Sequence, residues 1–386
     1  MVKSKLIGSI MMVAGTSIGA AMIAMPITAS KIGFALSILL LLIISAVMYY
    51  AAILVSRIYE ITNSSSTIAK MAGDSIGKTA QIICSAATLI LMYSLMVAYI
   101  SGLSEALNEL TNIGKTNIII IISTVLFFSL GLSNKIFDYY NRAAFSLKIV
   151  FMFLMTFILC PHISTTNITS SSIVISDSLS VLSVLPVFVT SFGFHAGIPV
   201  IFKHLEMDHK QYKKAISYGV LLTLAIYVIW LTITFGVLSV DGLHSSDGSL
   251  SNFIALLSSS IKSDFLSKII NFFIILAILT SLFGVSSTIF DFSEELLKDM
   301  FKFNNAFVNS FLVFFIPMIF TIINKNLFTK ALGLAGVALT IIAIFIPCII
   351  CIKKDSKMYN PIALCICITL GVATVVGEIM IFLALT

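Results

Sequence analysis

Two short stretches of this chain set glycines beside hydroxyls and rings inside otherwise apolar sequence. Residues 15–26 read GTSIGAAMIAMP, with Gly15, Thr16, Ser17, Ile18, Gly19 and Ala20 in a row. Residues 191–199 read SFGFHAGIP, with Phe192, Gly193, Phe194 and His195 in a row. Each stretch ends on a proline, Pro26 or Pro199, placed to start or kink a second half-helix. Unpaired backbone groups are very unfavourable in lipid, so such breaks are tolerated where protein or a polar cavity satisfies them. Paired breaks in corresponding segments point to a substrate site. A broken helix exposes amides at the start of its second half and carbonyls at the end of its first. The amides of Ile18, Gly19 and Ala20 are therefore expected to face an α-carboxylate, aided by the half-helix dipole. Carbonyls near Ala14, Gly15, Phe192 and Gly193 are expected to face an α-ammonium, with Thr16 and Ser17 adding uncharged hydroxyls. The other use of such glycines is close helix packing.

The rings of Phe192 and Phe194 suggest a wall for an apolar or aromatic side chain. His195, an ionisable group inside an apolar segment, is read either as a binding or coupling group or as a hydrogen-bonded structural one. Tyr93 and Tyr99 are six residues apart and point to different helix faces. Tyr93 is nearer mid-membrane and is assigned to substrate, Tyr99 to a gate or an interface anchor. Lys148 sits about two turns inside its segment. Such a partly desolvated amine can either snorkel or exchange a proton between the two sides. Glu105 and Glu378 are read as structural pairs. The run HLEMDH at 204–209 lacks the spacing of a zinc-binding helix and is read as a solvated loop.

The elements that position these residues follow from composition. The chain has 386 residues, 59% hydrophobic and only 10% charged, with mean hydropathy +1.10. A soluble chain carries roughly 25% charged residues, so most of this surface is expected to face a lipid bilayer. The net charge of +6 is accordingly no sign of nucleic-acid binding. About eleven apolar segments of spanning length are expected. They lie near 6–29, 33–56, 80–107, 117–132, 142–160, 179–202, 215–239, 267–290, 306–323, 331–352 and 361–385, the fourth being the shortest. Alternating sides from the N-terminus puts 16 of the 23 Lys and Arg residues in loops on the N-terminal side, which makes that side cytoplasmic. The first segment is longer than an ordinary signal-peptide core and is read as a span. The six cysteines fall in apolar segments and read as core residues. No metal or cofactor is called for, and no catalytic motif appears, so an enzyme is not expected. If the breaks begin equivalent units, a single transporter domain over 1–386 divides into a repeat at about 6–160, an inverted repeat at about 179–352, and an extra helix at about 361–385.

Several runs together resemble the bacterial aromatic amino acid permeases, the tyrosine- and tryptophan-specific proton symporters. They are the two stretches above with YSLMVAYISG (93–102), NRAAFSLK (141–148), TSLFGVSSTIFDF (280–292) and ALGLAGVALTIIAIFIP (331–347). The sequence looks closest to the tyrosine permeases. The resemblance implies the amino acid, polyamine and organocation superfamily and the five-plus-five inverted repeat shared with the bacterial leucine transporter. Segments 1 and 6 would then hold the substrate, with segments 3 and 8, including Phe283, completing the pocket. Lys148 would occupy a cation position facing Gly15, Thr280 and Ser281. Ala21, where the family usually has glycine, and Ser287 and Thr288, in a stretch usually richer in glycine, depart from that pattern. The implied activity is import of an aromatic amino acid, tyrosine first, with a proton across the bacterial inner membrane. Tryptophan, phenylalanine, broad aromatic, or serine and threonine transport are the alternatives.

Overall fold

In the computed structural model, the described residues are 2–62, 67–111, 113–130, 134–170, 178–246, 248–261, 263–302, 305–324, 327–354 and 359–384. Within these, the side chains of 2–4, 61–62, 129–130, 134–143, 178, 264, 296, 299–301 and 384 are outside the description. Of the charges that oriented the chain, Lys262, Lys325 and Lys357 lie outside the described residues, as do the side chains of Lys3, Lys135 and Arg142.

Among the described residues the regular structure is helical. The first expected segment is α1 (Val2–Ser17) followed by α2 (Ala20–Ala29), bent by 49° at the break. Then come α3 (Phe34–Thr62), α4 (Ile68–Ile76), α5 (Lys78–Thr111), α6 (Lys115–Leu130), α7 (Asn134–Leu159) and α8 (Thr165–Ser170). The second broken element is α9 (Ser178–Ser191), a 3-10 turn (Gly193–Gly197) and α10 (Ile198–His204). It is followed by α11 (His209–Val237), α12 (Val240–His244), α13 (Leu250–Ile261), α14 (Asp264–Phe301) and α15 (Ala306–Ile323). The chain ends in α16 (Leu327–Thr340), a π-helical stretch (Ile341–Phe345), α17 (Ile346–Lys354) and α18 (Pro361–Ala384).

Nine helices among the described residues are long and apolar enough to cross a membrane, and the bent first pair makes a tenth. These coincide with ten of the expected segments. The expected fourth is the apolar stretch Lys115–Phe128, short of the roughly 20 residues a full crossing takes.

The broken elements lie at the centre. α2 packs on α9, α1 on α11, and α14 on both α5 and α7, while α16 wedges between α5 and α9. Small residues bring the central backbones together, as helices in lipid require. A Cβ on Gly336 of α16 would stand 2.1 Å from the Pro186 carbonyl oxygen of α9, and one on Gly377 of α18 would stand 2.1 Å from that of Leu182. Beside the first contact, the Thr190 hydroxyl lies 2.8 Å from the Leu332 carbonyl oxygen, joining α9 to α16. Gly336→Ala should therefore destabilise the fold by about 1–3 kcal/mol through overpacking. Gly284→Ala, where nothing lies within 4 Å of the added atom, should leave stability unchanged or slightly raised. Thermal unfolding of the two variants in detergent measures the contrast.

Candidate functional site

The first break opens between Ile18 and Gly19, whose extended backbone (φ −150°, ψ −150°) stands before α2. Packing explains the glycines here. A Cβ on Gly19 would lie 2.4 Å from Ser281 Oγ, and one on Gly15 would lie 2.8 Å from the Phe145 ring. The Ile18 amide, expected to be free, donates to the Ala14 carbonyl at 2.8 Å and so is not left for a ligand. The Ile18 carbonyl accepts a 2.8 Å hydrogen bond from Lys148 Nζ. That ammonium is buried and lies 4.6 Å from the centroid of the Phe145 ring.

The second break takes a milder form than expected. Phe192 leaves the helical region, and Gly193–Gly197 continues as a 3-10 turn into α10 without the sharp bend of the first break. One residue of α11 joins the two breaks. The Tyr227 hydroxyl is 2.6 Å from the carbonyl oxygen of Ser17, the last residue of α1, and 2.5 Å from that of Ser191, the last of α9. One turn further on, Trp230 Nε1 donates to the Met22 carbonyl of α2 at 2.8 Å. Tyr227 thus offers its one proton to the two end carbonyls, and Trp230 meets the Met22 carbonyl that Pro26, four residues on, leaves without an amide partner.

Between the breaks lies a cavity of about 440 Å³. Of the residues predicted for the site, Gly15, Thr16, Tyr99, Lys148, Gly193, Thr280 and Ser281 line it. Lys148 is the one charged group among its described lining residues; Tyr99 and Phe145 supply rings, and Met11, Met12 and Met92 supply adaptable apolar surface. The Thr280 and Ser281 hydroxyls both donate back to the Ala277 carbonyl, at 3.2 and 2.9 Å, and keep their lone pairs for the cavity. Met11 and Val200 are exposed at one end, so the cavity opens on the side where α1 begins and α10 ends. Toward the other side stands α2, all ten residues of which are buried.

The remaining predicted residues stand elsewhere. Ile18 contributes its carbonyl as described, and Gly19 and Ala20 sit in the packed turn into α2. Ser17 donates to Val13 at 3.0 Å inside the core. Tyr93 turns to α15, where its hydroxyl is 3.3 Å from the Leu312 carbonyl oxygen, so the cavity has Tyr99 in the place given to Tyr93. Phe192 and Phe194 are buried away from the cavity, one ring edge-on to Tyr227 at 5.4 Å and the other stacked on His195 at 4.4 Å. The 3-10 turn directs both rings into the core, and so removes the aromatic wall expected from them. His195 is fully buried and donates through Nε2 to the Met48 carbonyl at 3.1 Å. Phe283 is half-buried against the core outside the cavity.

Glu105 accepts the Leu250 and Ser251 amides at 3.0 and 3.2 Å and so caps α13. In the loop at 204–209, Asp208 caps α11 by accepting the Lys210 and Gln211 amides at 2.9 and 3.0 Å. Glu206 pairs with Lys5, whose hydrogen bond and charge hold its carboxyl below the usual range. Among the described residues no group of three His, Cys, Asp or Glu side chains is placed to hold a metal ion. Tyr227, Trp230 and Phe145 were missed in the sequence. The available signal was weak: a mid-segment tyrosine one turn before the only tryptophan, with no glycine or charge beside them.

Comparison with known proteins bears on the fold and the family. A mutant of the manganese transporter of Eremococcus coleocola superposes with a TM-score of 0.67 at 13% identity, covering 98% of this chain and 86% of that one. At that identity the likeness concerns the fold, a leucine-transporter-like one. The "Tyrosine-specific transport system 1" of Haemophilus influenzae is 31% identical over 89% of this chain and 87% of its own length. The "Tryptophan-specific transport protein" of the same organism is 28% identical over 92% of this chain and 88% of its own. The "Glutamine transporter 2" of Aliivibrio fischeri is 28% identical over 89% and 87%. The profile of the tryptophan/tyrosine permease family matches residues 2–385. With broken helices around a cavity of mixed polarity and a profile match from end to end, this multi-pass membrane chain belongs to the tryptophan/tyrosine permease family.

Proposed function

We propose that this permease imports an aromatic amino acid, tyrosine foremost, together with a proton across the bacterial inner membrane. The observation that carries the reading is the central cavity: one buried ammonium tied to the break, rings of Tyr99 and Phe145, and otherwise uncharged lining. A zwitterion with a flat apolar side chain fits such a site, its charged groups met by backbone and hydroxyls and its ring by aromatic and methionine surface. The side on which the cavity opens is taken as cytoplasmic, in keeping with the excess of Lys and Arg in loops on the N-terminal side. The chain divides into inverted units at about 6–160 and 179–352, with 361–385 outside them.

Lys148 is the proton carrier in this reading. Protonated, it ties α7 to the Ile18 carbonyl; without the proton the tie weakens and α1 is freer to move. The proton can drive accumulation only if it favours one of the two access states, because a ligand bound equally by both shifts nothing. Tyr227 has one hydroxyl proton for two carbonyls, so relative movement of α1 and α9 lets it keep one bond while releasing the other.

Lys148→Ala should abolish accumulation driven by an imposed pH gradient in proteoliposomes while sparing counterflow exchange; undiminished accumulation would sink the coupling role. Tyr227→Phe removes the shared donor from two buried carbonyls and should lower stability by about 1–3 kcal/mol, read as thermal unfolding in detergent. For the substrate, unlabelled tyrosine should compete with labelled tyrosine uptake better than tryptophan, phenylalanine, glutamine or serine. Stronger competition by glutamine, as the relative named for that substrate would suggest, would replace the aromatic reading.

A further inference from the structure

The glycines of this chain divide by what a side chain in their place would meet. At Gly15, Gly19 and Gly336 an added Cβ would stand 2.8 Å or less from protein atoms, so close packing accounts for them. Gly193, Gly197 and Gly284 have no such reason. A Cβ on Gly197 or Gly284 would meet nothing within 4 Å, and one on Gly193 would find Leu339 at 3.7 Å, an ordinary contact. Nor does the backbone require glycine there, since the positive-φ glycines among the described residues are Gly33, Gly77 and Gly248. Gly284 lies within α14, where glycine is unfavourable relative to alanine. All three line the central cavity. The remaining use of glycine is to let another molecule approach the backbone closely, and over these three positions that molecule is whatever fills the cavity.

α14 turns Thr280, Ser281, Gly284, Val285 and Thr288 to the cavity, all on one helical face. Hydroxyls stand at the two ends of this run, with the bare backbone of Gly284 between them. Ser281 and Thr288 are seven residues apart, roughly 10 Å along the axis. That is the length of a tyrosine with a hydrogen bond at each end. Thr288 is exposed and gives its own proton to the Gly284 carbonyl at 2.8 Å. What it offers the cavity is therefore an acceptor, and a phenol hydroxyl is a donor. A ring without the hydroxyl makes no such bond. A flat ring lies directly over Gly284, where a methyl group would hold it off.

We propose that Gly284, with Gly193 and Gly197, keeps a slot open for the ring of the substrate, and that Thr288 selects tyrosine over phenylalanine by accepting the hydrogen bond of the para-hydroxyl. The substrate's ammonium then lies toward Ser281 and its ring runs along α14. The proposal rests on the aromatic amino acid reading above and assigns the choice between the two rings to one side chain.

Equilibrium binding of radiolabelled tyrosine and phenylalanine to the purified full chain in detergent tests it. The wild type should bind tyrosine more tightly. Thr288→Val, close to it in shape, should weaken tyrosine binding roughly tenfold and leave phenylalanine unchanged, whereas Thr288→Ser, which keeps the acceptor, should retain the preference. Gly284→Ala should weaken both amino acids roughly tenfold without loss of thermal stability. Phenylalanine still bound by Thr288→Val shows that this variant is folded. Unchanged tyrosine affinity in Thr288→Val would overturn the selecting role, and in Gly284→Ala the slot; with tyrosine bound by the wild type, either result leaves the transport reading standing. A wild type that binds neither amino acid would overturn both.

Discussion

A helix interrupted at membrane depth must have its freed carbonyls satisfied from outside itself, and here a tyrosine hydroxyl on α11 reaches both interruptions. Tyr227 lies within 2.6 Å of Ser17 O and 2.5 Å of Ser191 O, so the ends of α1 and α9 are held in one register. Trp230, on the same helix, holds α2 through the Met22 carbonyl. The open space lies between the breaks, where the backbone of Gly193 and Gly197 faces the cavity uncovered.

The same economy explains Lys148. A buried ammonium needs acceptors, and the first break supplies one in the Ile18 carbonyl while Phe145 covers the charge from the side. The charge and the break therefore satisfy one another, and a change in the charge acts directly on the element that must move. Glu378 presents the complementary case. Its Oε2 is buried, packed on α16 where Gly333 leaves room for it.

Above the central cavity the helices meet through small contacts. Gly336 brings α16 against the Pro186 carbonyl, and Thr190 bonds across to Leu332. Small residues of this kind let helix backbones approach closely in lipid. This is consistent with a fold whose relatives are transporters.

Much of the architecture was legible because lipid imposes a local rule: each span must be about 20 apolar residues long and must satisfy its own backbone. Ten of the eleven segments, the position of the first break and the placing of Lys148 within its segment follow from that rule and are written along the chain. The pocket lining is a different kind of property. Tyr99 rather than Tyr93 faces the cavity, Phe192 and Phe194 turn into the core, and the Ile18 carbonyl rather than its amide is the group left to bind. Each depends on the rotation of a helix against its neighbours or on a 3-10 turn, and a glycine-rich stretch is compatible with several of these. Tyr227 and Glu378 acquire their roles from carbonyls and glycines tens to hundreds of residues away. The sequence by itself determined which segments cross and where a helix must break, since those are set by local hydrophobicity and backbone freedom. Only the tertiary structure decided which side chains meet at the breaks, since that depends on how separate helices pack.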